Sequence, residues 1–144
     1  MSLVRLFLDA NVLFSAAYSP KGRAATLVDL AASGRCVLLA SPHVLAEAQH
    51  NLASKHPEAV RILEEKILPS VTLVAEATPD AIRAGLELDL PLKDAPVLGA
   101  ASMADADYLV TGDYRHFGHL MGGNAGGVEV ITPAQALARV IPSD

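Results

Sequence analysis

A chain of 144 residues is long enough for one compact domain with a sizeable core and too short for two. Hydrophobic residues make up 51% of it, which excludes intrinsic disorder, yet no apolar run reaches the length that spans a bilayer. A formal net charge of −5 argues against wholesale coating of nucleic acid, because that affinity comes from an excess of Lys and Arg.

The amino terminus leads straight into an apolar run, with no basic or small-residue leader pattern, and the lone Cys36 cannot form an internal disulfide. Both features fit a reducing cytoplasm. Residues 4–8 read as a buried strand closed by a polar turn, Asp9-Ala10-Asn11. Ser19-Pro20-Lys21-Gly22 is a loop, after which Ala24, Ala25, Leu27, Val28, Leu30 and Ala31 recur at helical spacing until Gly34. Residues 36–39 form a second strand, with Cys36 as plain core. Ser41-Pro42 supplies an N-cap and a first-turn proline for a helix through Leu52. A further helix over 57–68 stops at Pro69, and 71–74 is a third strand. Thr78-Pro79-Asp80 caps a helix over 81–88, and Asp94 opens a small-residue helix over 97–104. The strand at 108–110 ends in Thr111-Gly112-Asp113; glycines at 122, 123, 126 and 127 make a flexible loop; 128–131 is the last strand, and Thr132-Pro133 starts the closing helix. Short apolar strands alternating with helices, without the period-2 pattern of half-exposed sheets, predict an α/β layer structure with a mostly parallel sheet.

In such a sheet the residues just after each strand gather on one edge, where these folds bind ligands. Asp9 and Asp113 stand in that position. Asp94 begins the helix that leads into the strand at 108–110; that helix runs antiparallel to the strand, so its start lies over the strand's carboxyl end. Glu47, in the opening turns of the helix after the second strand, borders the apolar stripe of Val44, Leu45, Ala48 and Leu52. Taken singly, Asp94 reads as a helix cap, Asp113 as a turn residue and Glu47 as a solvated helix residue. Asp9 follows a buried strand and has no evident cap to make. Together, four carboxylates converging without cations would repel and raise one another's pKa values, so they call for an ion. Hard oxygen ligands select Mg²⁺ or Mn²⁺, and no Cys/His spacing suggests zinc. With four carboxylates committed to a metal, the net −5 leaves only −1 elsewhere, so local basic residues decide the ligand.

Four segments carry a resemblance, in order along nearly the whole chain: Leu8-Asp9-Ala10-Asn11-Val12-Leu13-Phe14-Ser15-Ala16, Ser41-Pro42-His43-Val44-Leu45-Ala46-Glu47, Lys93-Asp94-Ala95-Pro96-Val97-Leu98-Gly99-Ala100-Ala101, and Ala106-Asp107-Tyr108-Leu109-Val110-Thr111-Gly112-Asp113. They resemble the PIN-domain nucleases, which include the toxins of many toxin–antitoxin pairs. The resemblance implies a single domain over residues 1–144 with a three-layer α/β/α sandwich and a mostly parallel central sheet of four to five strands. It also implies a metal-dependent ribonuclease acting on single-stranded or structured RNA, with Asp9, Glu47, Asp94 and Asp113 as the catalytic metal ligands for Mg²⁺ or Mn²⁺. Asn11, Ser15 and Thr111 would position those acids or the substrate. An antitoxin inserting an Arg or Lys among the acids, and a homodimer, are the partners such proteins have. Many relatives carry another acid shortly after the last aspartate, whereas here Tyr114-Arg115-His116-Phe117 follows, so the residues support one ion.

Lys21, Arg23, Lys93 and Arg115 border the proposed edge and are candidates for RNA phosphate contacts, each also readable as a solvated charge. His116 is a candidate proton donor, against the plainer reading of an incidental loop histidine. Two rival functions stand beside the nuclease. An aspartyl-phosphate phosphatase would want a second Asp where Asn11 stands, and a non-catalytic binding module would have no need of all four acids.

Overall fold

The computed structural model of the chain describes residues 2–141. Its first strand, β1 (Arg5–Leu8), buries Leu6, Phe7 and Leu8 completely, as its unbroken apolar sequence requires. The residues that follow are not a polar turn. They wind into α1 (Ala10–Tyr18), whose Val12, Leu13, Ala16 and Ala17 are buried at helical spacing. Helix α2 (Arg23–Ala32), strand β2 (Val37–Ala40) and helix α3 (Pro42–Lys55) follow, the last capped by Ser41 with Pro42 in its first turn.

The helix expected over 57–68 forms as one winding rod of changing pitch. A 3-10 turn (Pro57–Ala59) passes through the short α4 (Val60–Ile62) into a π-helical stretch (Leu63–Ile67), and a second 3-10 turn (Leu68–Ser70) carries Pro69. Ala59, Leu63 and Ile67 are buried at a strict four-residue repeat. An i, i+4 repeat keeps all three side chains on one face of the rod, turned toward the core.

Strand β3 (Val71–Leu73) leads to α5 (Pro79–Glu87) and α6 (Ala95–Met103), then to β4 (Tyr108–Val110) and the single turn α7 (Tyr114–Phe117). The glycine-rich segment is structured. It forms β5 (Asn124–Ala125), an antiparallel hairpin with β6 (Val128–Ile131), turned by Gly126 and Gly127 with φ of 61° and 87°. Helix α8 (Pro133–Val140) closes the described chain behind a reciprocal Thr132–Gln135 capping box.

The sheet therefore has six strands, one more than expected, in the order β3-β2-β1-β4-β6-β5, and all pairings except β5 with β6 are parallel. The chain builds outward from β1 to β2 and β3, then crosses back to β4 and on to β6. Right-handed crossovers put helices gained in the first direction on one face and those gained in the second on the other, giving the three α/β/α layers. Close packing of α5 on α6 depends on missing side chains: a Cβ on Gly99 would lie 2.9 Å from that of Ala77, and one on Gly85 would lie 3.0 Å from that of Ala95. Among the described residues no helix is long and apolar enough to cross a membrane.

Candidate metal centre

The order in which strands join the sheet reverses between β1 and β4, and there the strands' carboxyl ends open a crevice. Leu8 pairs with Val110, and the Asp9 amide donates to the Val110 carbonyl at 3.0 Å, so Asp9 and Thr111 come out side by side. Asp9 is 3% exposed and both of its oxygens are engaged. Oδ1 accepts from the Ala10 amide at 2.8 Å; Oδ2 accepts from Asn11 Nδ2 at 2.9 Å and from Thr111 Oγ1 at 2.8 Å. Asp9 is thus the N-cap of α1, which corrects the expectation that it had no cap to make.

Asn11 also reaches across to the end of β4. The Asn11 Oδ1 accepts from the Gly112 amide at 2.8 Å, while Thr111 Oγ1 accepts from the Asp113 amide at 3.0 Å. One small network therefore ties the ends of β1 and β4 together and orients two of the four acids. Ser15, exposed on α1, lines the same opening but makes no part of this network.

Asp94 occupies the N-cap position of α6 without capping it: no side-chain cap bond forms. Its carboxylate turns instead into the crevice, where the side chain is only 7% exposed and Oδ2 has no hydrogen-bond partner. Burial raises the pKa of Asp94 above its ordinary value, opposed by the Lys93 and His116 charges and reinforced by Asp113 and Glu47. Burial likewise raises Asp9, against the hydrogen bonds from Thr111 and Ala10 and with the Asp94 and Glu47 charges. Asp113 is half-buried, its Oδ1 accepting from the His116 amide at 3.1 Å at the start of α7.

All four predicted acids line one cleft of about 430 Å³. Glu47 enters it from α3, half-buried at the border of the stripe formed by Val44, Ala48 and Leu52. Of the predicted basic residues, Lys93 lines the cleft with its Nζ 3.8 Å from Asp94 Oδ1. Arg23 lines a neighbouring depression that shares Ser15 and Gly112, and the exposed Lys21 and Arg115 line neither. Phe14, Asn51 and Lys55 complete the cleft wall and were not singled out from the sequence. Their signal was helical spacing: Glu47, Asn51 and Lys55 recur every four residues along α3, and Phe14 stands one turn beyond Asn11 on α1.

These residues suit a divalent cation. A buried carboxylate oxygen without a partner is costly unless an ion or proton answers it, and Asp94 Oδ2 is such an atom. Asp94, Asp113 and His116 each offer a ligand atom, all within 4.8 Å of one another. The sequence expectation had omitted the histidine from that set.

Known proteins of this architecture share it over most of their length. The protein PAE2754 from Pyrobaculum aerophilum superposes with a TM-score of 0.67 at 21% identity, over 95% of each chain. A toxin–antitoxin complex from Klebsiella pneumoniae contains a chain matching at TM-score 0.61 and 20% identity, over 89% of this chain and 97% of that one. The Mycobacterium tuberculosis toxin VapC20, described as cleaving the sarcin–ricin loop, matches at TM-score 0.55 and 17% identity, over 83% and 97%. No curated protein sequence matches. The family profile described as PIN domain matches residues 5–115, a span that carries Asp9, Glu47, Asp94 and Asp113 together, and the chain belongs to the PIN-domain family.

Proposed function

We propose that this chain is a divalent-metal-dependent ribonuclease that hydrolyses phosphodiester bonds in single-stranded RNA, and that it serves as the toxin of a toxin–antitoxin pair. The observation that carries the reading is the buried Asp94 carboxylate, whose Oδ2 accepts no hydrogen bond, lining one cleft with Asp9, Glu47 and Asp113 at the strand-order reversal. Family membership and the toxin neighbours support nuclease chemistry of a toxin-like kind.

Asp94, Asp113, Glu47 and Asp9 would hold the cation, Mg²⁺ or Mn²⁺. When bound it supplies Lewis acidity toward a phosphoryl oxygen and makes an attacking water more acidic. The chain's own residues supply position and charge. Asn11 and Thr111 hold the Asp9 carboxylate in one orientation, and Thr111 also fixes the Asp113 backbone. Lys55 and Lys93 line the cleft with the acids and are suited to contact RNA phosphates. Phe14, half-buried beneath Lys55 with the ammonium 6.0 Å from the ring centre, gives that lysine a fixed seat.

The phosphatase alternative is disfavoured because Asp9, which would be its nucleophile, has both oxygens held by three donors. An antitoxin that places an Arg or Lys among the acids would answer the same orphaned oxygen as an ion does. Incubation of single-stranded RNA with the protein and Mn²⁺ tests the proposal. Cleavage by wild type, abolished by chelation and reduced roughly 100-fold or more in Asp94→Asn, is expected. Equal cleavage by both proteins would remove the assigned site.

A further inference from the structure

His116 is the one nitrogen donor in the group it forms with Asp94 and Asp113. It lies on α7, three residues after Asp113, a spacing that returns its side chain to the same face of the turn. Its Nδ1 is buried and 2.9 Å from both Asp94 Oδ2 and Asp113 Oδ2. Neither contact has hydrogen-bond geometry, and Nδ1 and Asp94 Oδ2 are both without a hydrogen-bond partner. At this separation only direction can be at fault, so both oxygens lie off the line of an Nδ1–H bond.

A proton shared between imidazole and carboxylate would draw one oxygen onto that line. Ligand atoms gathered around one ion would leave such contacts without hydrogen-bond direction, and those of Asp94, Asp113 and His116 lie within 4.8 Å of one another. Six donors around an ion at roughly 2.1 Å leave adjacent donor atoms about 3.0 Å apart, and both nitrogen–oxygen separations are 2.9 Å. The Asp94 side chain is more than nine-tenths buried and its Oδ2, 2.9 Å from Nδ1, accepts no hydrogen bond, an independent sign that something other than protein completes the group.

The geometry points to His116 Nδ1 as a metal ligand, making the centre a mixed set of Asp94, Asp113 and His116 rather than an all-carboxylate one. This rests on the metal-centre reading above and sharpens it. A nitrogen donor favours transition ions over Mg²⁺, so Mn²⁺ is the better fit of the two ions considered.

The test is pulsed electron paramagnetic resonance of the full chain with Mn²⁺ as the probe, alongside loss of the free-Mn²⁺ signal to measure affinity. Wild type is expected to show ¹⁴N modulation from a directly bound imidazole and to bind Mn²⁺ at least about tenfold more tightly than Mg²⁺. His116→Gln is expected to lose the modulation and about tenfold or more in Mn²⁺ affinity. His116→Asp is expected to keep binding but without nitrogen coupling, and with the preference for Mn²⁺ reduced. His119→Gln is the control, because the His119 ring is engaged by the Leu88 carbonyl at 2.7 Å, away from the acids. Bound Mn²⁺ without nitrogen coupling in wild type, or coupling that persists in His116→Gln, would overturn the assignment and leave the metal-dependent nuclease standing. Failure of wild type to bind Mn²⁺ at all would overturn both.

Discussion

Asp94 and Asp9 are both buried acids in one cleft, yet their hydrogen bonding predicts opposite responses to the same substitution. Asp94 caps nothing and leaves Oδ2 unpartnered, so its charge is a burden to the metal-free fold. Asp94→Asn is expected to stabilise the metal-free protein by about 0.5–2 kcal/mol, roughly 2–6 °C in Tm for a domain of this size. In Asp9→Asn the new amide NH₂ would face either the Ala10 amide or the Asn11 amide, both donors. That change is expected to destabilise by about 1–3 kcal/mol, the scale of one buried donor left unmet. Thermal melts in the presence of a chelator check both signs. The pH dependence follows from the same burial. The Asp94 pKa is raised above its ordinary 3.8, so over that window the folded state binds more protons than the unfolded. Stability associated with this group is therefore full below 3.8 and lost as pH rises through the folded value. The Tm advantage of Asp94→Asn over wild type should accordingly be absent at acid pH and grow toward neutrality, and a constant advantage across that range would contradict it.

At the scale of elements, the α5–α6 pair sets where Asp94 stands, and its closeness depends on two glycines. Gly99→Ala forces a Cβ to within 2.9 Å of Ala77 on the segment leading into α5. A loss of about 1–3 kcal/mol is expected, the range for overpacking a well-filled contact. Metal affinity should fall with it, because the helix start that presents Asp94 is displaced; urea melts and Mn²⁺ titration of the variant measure the two effects. Most elements were legible because their periodicity and caps agreed: Ser41-Pro42, Thr78-Pro79 and Thr132-Pro133 each start a helix as read. Helix α1 was not, because Asp9-Ala10-Asn11 carries the same residue types as a turn and as a capped helix start. What decides between them is the burial of Val12, Leu13, Ala16 and Ala17 against other helices, which is tertiary. The hairpin at β5 was hidden for a related reason. Two-residue strands have no readable alternation, and Gly126-Gly127 signals flexibility and a tight turn equally.

The whole molecule brings to one edge residues separated by more than a hundred positions in the chain. Chain direction in a parallel sheet made Asp9, Asp94 and Asp113 legible as neighbours from the sequence, and Glu47 came with the family resemblance. His116 was not legible as a member, since a histidine after an acid in a loop has no distinctive spacing; only the fold of α7 turns it back onto Asp94 and Asp113. The architecture also explains the charge balance. An acidic chain can act on a polyanion when its acids are gathered at one cleft beside Lys55 and Lys93, with a cation expected to answer them. The most direct check on that centre is calorimetric titration with Mn²⁺, comparing wild type with Asp94→Asn. A saturable exothermic or endothermic binding event in wild type that is lost in Asp94→Asn, while the variant remains folded, is the predicted result. No binding by wild type, or equal binding by both proteins, would contradict it.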